Sequence, residues 1–299
     1  MIGAYMQLAL SMAFVGGNIA IGKMIVEEVP VFLFSEIRFL IASAILLPLL
    51  MARGEGRFKL PLSGWKEMGL QAFFGVFLFS LFMLYGVQYT TATAAGIITS
   101  TVPAFIALFS LWLLREKLTR NRMFAILFSV LGIALITFQA GGVVLDAAQM
   151  LGNLLVLLAV AAEALFTIFA KRLAGQVTPF QLAAGVNLFG LLFFLPFAVW
   201  EFVWFDLGSI SAAVWGMIAF YAVTASVLSF VLWYFGVGKV PASVAGLFTG
   251  VMPISAALVS ILFLGEQFHW FHGIGMILVL AAIVVGTRQN DQRASVEMS

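Results

Sequence analysis

Ten apolar stretches, each near 20 residues, follow one another along the chain: 3–22, 31–50, 66–87, 92–114, 121–139, 150–170, 179–200, 211–235, 241–264 and 270–287. About 20 mostly apolar residues are what an α-helix needs to cross roughly 30 Å of hydrocarbon. Hydrocarbon offers no water to backbone N–H and C=O groups, so only helices and closed barrels can span it. Stretches of this length are helical. Links such as QYTTA at 88–92 and GKVPA at 238–242 are short, which makes successive helices antiparallel neighbours. The expectation is an all-α integral membrane fold of ten transmembrane helices. Composition closes the soluble alternative. The chain is 63% hydrophobic and 9% charged, against about 25% charged in a typical soluble domain. In water such a fold would expose large apolar patches and aggregate. Residues 1–22 lack a basic leading segment and a clear cleavage pattern, and are read as a retained first span. With no cysteine, no disulfide framework or sulfur-based metal site is expected, and no cofactor is called for.

Charge placement supplies an orientation. Taking the connections in alternation, one side receives Arg53, Arg57, Lys59, Lys66, Arg115, Lys117, Arg120, Arg122, Lys171, Arg172, Lys239, Arg288 and Arg293, which is 13 of the 15 basic residues. The other side receives Lys23, and Arg38 lies inside a span. Basic residues gather on the cytoplasmic side of short loops. A wrong span count would scramble this alternation, so the split supports both ten helices and cytoplasmic termini. The predicted location is the inner (cytoplasmic) membrane, crossed many times. Trp65, Trp112, Trp200, Trp204, Trp215, Trp233 and Trp270 fall near span ends, where an indole prefers the membrane interface.

The chain also repeats itself. AGIITSTVPAF at 95–105 returns as AGLFTGVMPIS at 245–255. Over 86–116 against 236–266, 12 of 31 positions are identical. The matches include Gly86/Gly236, Ala92/Ala242, Gly96/Gly246, Thr99/Thr249, Pro103/Pro253 and Glu116/Glu266. VPVFLF at 29–34 echoes VTPFQL at 177–182. The expected organisation is a five-helix repeat over 1–145, a second over 146–287, and a polar cytoplasmic tail over 288–299. Five is odd, so the second half must enter the membrane inverted. Inverted repeats place a substrate site near the midplane and open it to alternate sides by rocking.

These features carry a family resemblance. The five-plus-five pattern and the paired motifs AGIITSTVPAF…REK and AGLFTGVMPIS…GEQ resemble the drug/metabolite transporter superfamily, EamA type. Within it the chain is most similar to the aromatic amino-acid exporters of the YddG type. The resemblance implies ten helices around a central cavity, and export of small metabolites.

Candidate site residues follow from polarity inside the spans. Pro103 and Pro253 each remove a hydrogen bond to the carbonyl four residues back, those of Thr99 and Thr249. The freed carbonyls must face protein or a water-filled cavity, which makes Thr99, Ser100, Pro103, Thr249 and Pro253 candidate path residues. Plain helix packing by small residues is the alternative. Glu163 sits in the middle of the sixth span, and an intramembrane ionisable group is a functional candidate by default. It could meet a substrate ammonium or carry a coupling proton, or it could bond a neighbouring helix. Glu36 and Arg38 lie two turns into the second span and are assigned a gating or structural role, with carboxylate binding by Arg38 as the alternative. Asn18, beside two glycines, is a candidate ligand for the substrate. Leu78, Phe82, Tyr85 and Tyr89 share one face of the third span, and Ala222, Ser226 and Ser229 one face of the eighth. Either face could be lining or core. Glu116 and Glu266 are expected to cap the next helix start. His269 and His272 lack a third ligand nearby, so no metal site is expected.

The sequence lacks HExxH, a paired DxxxD, a P-loop and GxSxG, so an enzyme is not expected; a lipid enzyme would need clustered acids or histidines at one face. The reading is a secondary transporter that acts as a monomer on a small-molecule substrate within the lipid bilayer. Protons are a candidate coupling ion and nucleic acid is not a partner. Aromatic or neutral amino acids come first as substrates, and a nucleobase, polyamine or drug is the alternative.

Overall fold

The computed structural model describes residues 1–90, 95, 98–137, 147–263 and 269–297. Ala92, Gly96, Glu266 and the junction at 145 lie outside the described residues. Ten helical stretches occur in the expected order: α1 Ile2–Glu28, α2 Val31–Ala52, α3 62–89, α4 Val102–Leu113, α5 Arg120–Thr137, α6 Ala147–Leu173, α7 Pro179–Trp204, α8 Ala212–Val237, α9 242–263 and α10 Trp270–Glu297. Eight of these are long and apolar enough to cross a membrane, and α4 is a shorter apolar helix. The described residues contain no β-strand.

Local chemistry sets the helix ends. Thr178 caps α7 through a reciprocal pair with Gln181, and Pro179 takes the first position, where its missing N–H costs nothing. Pro30 ends one helix and starts the next, and the Glu201 carboxylate at the far end of α7 accepts from Leu33 N at 2.7 Å. Glu116, at the end of α4, accepts from the N–H groups of Ala242 and Ser243 at 2.7 and 3.2 Å and from the Ser243 hydroxyl at 2.8 Å. It is a cap, as expected, but of α9 in the other half of the chain and not of the following α5. The helical backbone of α10 continues to Glu297, past the expected tail boundary at 288. Residues 288–297 contain neither Gly nor Pro, so no strong breaker stops the helix.

The helices are interrupted at matching places. α3 contains a π-turn at Phe73–Leu78 and α8 one at Ala222–Leu228. α9 tightens at Phe248–Gly250, and α4 restarts after a turn at 100–101. Pro103 and Pro253 therefore sit just after breaks in their helices and not within continuous ones. Pro103 is the second residue of α4, and Pro253 is the third residue of the segment Val251–Phe263. Nearby carbonyls are served by threonine hydroxyls, Thr101 to Ile98 O at 2.6 Å and Thr249 to Gly246 O at 2.7 Å.

Pairing follows one pattern. α2 packs on α7, α5 on α10 and α4 on α9; α3 packs on α6 as α8 does on α1; α4 packs on α6 as α9 does on α1. The matched glycines make the two equivalent crossings close. A Cβ on Gly86 would lie 2.8 Å from Val156 Cγ2, and one on Gly236 would lie 2.5 Å from Leu8 Cγ and 3.0 Å from Ala4 O. Gly236→Val is expected to force α8 off α1 and to destabilise the protein by about 1–3 kcal/mol. The check is a lowered thermal midpoint in detergent, with Val231→Ala as a control for a change elsewhere on α8.

Candidate functional site

A cavity of about 250 Å³ lies where α1, α2, α3, α6, α8 and α9 meet. This is close to the lower end of small-molecule sites, about 300–1,000 Å³. Two charged side chains line it: Arg38 from α2 and Glu163 from α6. Five aromatic side chains, Phe79, Phe166, Tyr221, Phe230 and Trp233, share the rest of the wall with small and aliphatic residues and two serines.

The two charges are unpaired. Arg38 donates from Nη1 to Ser226 Oγ at 3.0 Å, and its guanidinium carbon lies 4.0 Å from the Phe39 ring centroid and 5.8 Å from that of Tyr221. Among the described residues no carboxylate is within ion-pair distance of it. Glu163 has neither a hydrogen-bond nor an ion-pair partner among them. A charge withdrawn from water without a counter-charge is costly, and in a membrane span it marks a functional group. A cation and a carboxylate left open in one small aromatic chamber can together hold a ligand of opposite polarity at its two ends.

Two wall residues, Phe166 and Phe230, form a cluster of three rings with Tyr234. Phe166, Phe230 and Tyr234 lie 6.0–6.3 Å apart, centroid to centroid. Gln71 donates to Tyr234 Oη at 3.0 Å and to Phe166 O at 3.4 Å. Lys171 donates to the carbonyls of Val237 and Gly238, both at 3.1 Å.

Of the residues singled out from sequence, Arg38, Glu163 and Ser229 come together on this wall. The Ser229 hydroxyl is already engaged with Ser11, at 3.1 Å to its Oγ and 3.2 Å to its carbonyl. Trp233 corrects the interface expectation: it is 2% exposed and lines the cavity, because the end of α8 is packed inside the bundle. Asn18 is buried and tied to Phe14 O and Thr224 Oγ1, both at 2.8 Å, and is not part of the wall. Glu36 is half-buried, with Oε2 unpartnered among the described residues, and does not line the cavity. Thr99, Ser100, Pro103, Thr249 and Pro253 sit at the α4 and α9 breaks; Met252 reaches the wall instead. Phe82 and Tyr85 do not line this cavity, and Tyr85 is exposed. On α3 the wall is Gly75, Val76, Phe79 and Ser80, and on α8 it is Tyr221, Ala225, Ser229 and Trp233 with Phe230. Both sets step by four. A π-turn inserts one residue into a helix, which moves the inward face off the 3.6-residue stripe that sequence spacing assumes. Phe166 was legible in principle, one turn beyond Glu163.

A helical bundle, apolar outside and enclosing a charged chamber, is the architecture of a multi-pass membrane protein. The chain matches the EamA-like transporter family twice, over residues 2–138 and 150–287, and belongs to that family. It is 45% identical over 292 residues to the uncharacterized transporter YetK of Bacillus subtilis (strain 168), covering 97% of this chain and 88% of that protein. An uncharacterized transporter of Archaeoglobus fulgidus is 24% identical over 292 residues, covering 96% and 98%. A crystal structure aligns with a TM-score of 0.80 at 18% identity, over 95% of this chain and 96% of that one. That likeness concerns the fold alone.

Proposed function

We propose that the chain is a secondary transporter that exports a small zwitterionic metabolite, with aromatic and neutral amino acids as the first candidates. The observation that carries this is the pairing of one open cation and one open carboxylate in a single aromatic chamber. Arg38 would take the substrate carboxylate, through a fork that suits it. Glu163 would take the ammonium, or the coupling proton when the chamber is empty of substrate. The aromatic wall suits an aromatic or aliphatic side chain. A polyamine would want several carboxylates here, and the wall carries Glu163 with Arg38 against it.

Transport would proceed by alternating access between two inverted halves. Three things support that reading: the family matches the chain twice, the helix pairing maps onto itself when the halves are exchanged, and the two π-turns fall at equivalent places. The basic face, with both termini, is read as cytoplasmic, the membrane as the inner one, and the monomer as the working unit.

The test is efflux from liposomes preloaded with a panel of amino acids, amines and nucleobases, with and without a pH gradient. The expected result is saturable efflux of neutral amino acids that shows counterflow. Efflux confined to amines or nucleobases would contradict the reading.

A further inference from the structure

We propose that Ser226, presented by the π-turn of α8 and held from behind by Asn187, is the positioning residue that seats Arg38 for a substrate carboxylate. This rests on the zwitterion reading of the same cavity.

Hydroxyls inside membrane helices commonly satisfy themselves on the carbonyl one turn back. Ser80 does so on Val76 O at 2.6 Å, and Thr224 on Phe220 O at 2.7 Å. Ser226 does not. Its Oγ accepts from Arg38 Nη1 at 3.0 Å, across from α8 to α2. The residue lies within the Ala222–Leu228 π-turn, a break of the kind that recurs at functional sites.

That turn is tied down on three sides. Asn187 of α7 donates to Ser226 O at 3.0 Å and to Ala183 O at 2.7 Å. Asn18 of α1 donates to Thr224 Oγ1 at 2.8 Å. Arg38 closes the third side from α2. Ser226 and Asn187 are both fully buried and neither lines the cavity, so both act through Arg38.

A guanidinium has five N–H donors in a fixed fork. Ser226 holds one of them, while the Phe39 and Tyr221 rings lie beside the group. What the arrangement fixes is direction: a bidentate grip on a carboxylate depends on the plane of the fork. An arginine without this anchor keeps its charge and loses its aim.

The test compares L-phenylalanine with phenethylamine, which lacks the carboxylate. Affinities are read by ligand-dependent thermal stabilisation of the purified protein. Ser226→Ala is expected to weaken phenylalanine about tenfold, as for a lost hydrogen bond to a charged group, and to leave phenethylamine unchanged. Ser226→Thr, which keeps the hydroxyl, is expected to restore phenylalanine. Ser226→Cys, close in volume and a weak acceptor, carries the same expectation should the alanine variant not fold. An equal loss for both ligands would mean a merely structural role and overturn the proposal. So would unchanged phenylalanine binding in a variant series where Arg38→Gln abolishes it. If Arg38→Gln binds phenylalanine like the wild type, the zwitterion reading fails first, and this proposal with it.

Discussion

Arg38→Gln is expected to lower the affinity for a carboxylate-bearing substrate by about 30-fold to a few thousand-fold. Truncating one partner of a buried, hydrogen-bonded charge pair costs about 2–5 kcal/mol, and each 1.4 kcal/mol is tenfold. Arg38 is placed for such an effect. It lines the cavity, has no carboxylate partner among the described residues, and is held by Ser226 at 3.0 Å. Glutamine keeps part of the length and polarity, so the loss is one of charge and fork geometry more than of volume. Arg38→Lys is expected to recover only part of the affinity, because an ammonium is a point charge without the planar fork. Equilibrium binding to purified protein checks both variants. Wild-type affinity in Arg38→Gln would return this residue to a gating or structural role.

The second large effect is expected at Glu163. If this carboxyl carries the coupling proton, Glu163→Gln should abolish the dependence of net flux on a pH gradient, while exchange between equal pools persists at the higher substrate concentration that loss of the ammonium contact requires. The energetics set the scale. One pH unit is worth about 1.36 kcal/mol per proton, so one-to-one coupling sustains about a tenfold substrate gradient per pH unit. The variant should sustain none. The two halves of the result separate damage from uncoupling, because a misfolded protein would lose exchange as well. An unchanged response to the pH gradient in Glu163→Gln would sink the assignment.

Much of the fold was legible because hydrocarbon imposes length and polarity on each span. The helix order and the exposure of Trp112, Trp200, Trp204 and Trp270 near helix ends follow from that alone. Glu116 was legible as a cap, since it ends an apolar run. That it caps α9 across the molecule was not, because a sequence shows which groups need partners and not which distant helix supplies them. The breaks beside Pro103 and Pro253 were hidden for a related reason. Proline in a hydrophobic run reads as a kink, yet a helix that has already broken accepts one in its first turn without losing a hydrogen bond.

In the site, the charges were visible and their company was not. Arg38 and Glu163 stand out because ionisable groups in a span are rare. Their meeting in one cavity depends on α2 and α6 converging on α8, which no local pattern encodes. The two π-turns explain the displaced faces of α3 and α8. Across the α8 π-turn the wall residues Tyr221, Ala225, Ser229 and Trp233 step by four, where regular spacing favoured Ala222, Ser226 and Ser229. Asn18 stood out as a polar residue inside a span and a candidate ligand for the substrate; in the structure its amide donates to Thr224 of the α8 π-turn.

The central claim is that Arg38 and Glu163 hold the two ends of one zwitterion. It is tested most directly by a matrix of affinities. The ligands are L-phenylalanine, phenethylamine and 3-phenylpropionate, and the proteins are wild type, Arg38→Gln and Glu163→Gln. The account predicts that the wild type prefers phenylalanine over both analogues. The preference over phenethylamine should vanish in Arg38→Gln, and the preference over phenylpropionate should vanish in Glu163→Gln. Selectivity that is the same in all three proteins would contradict it.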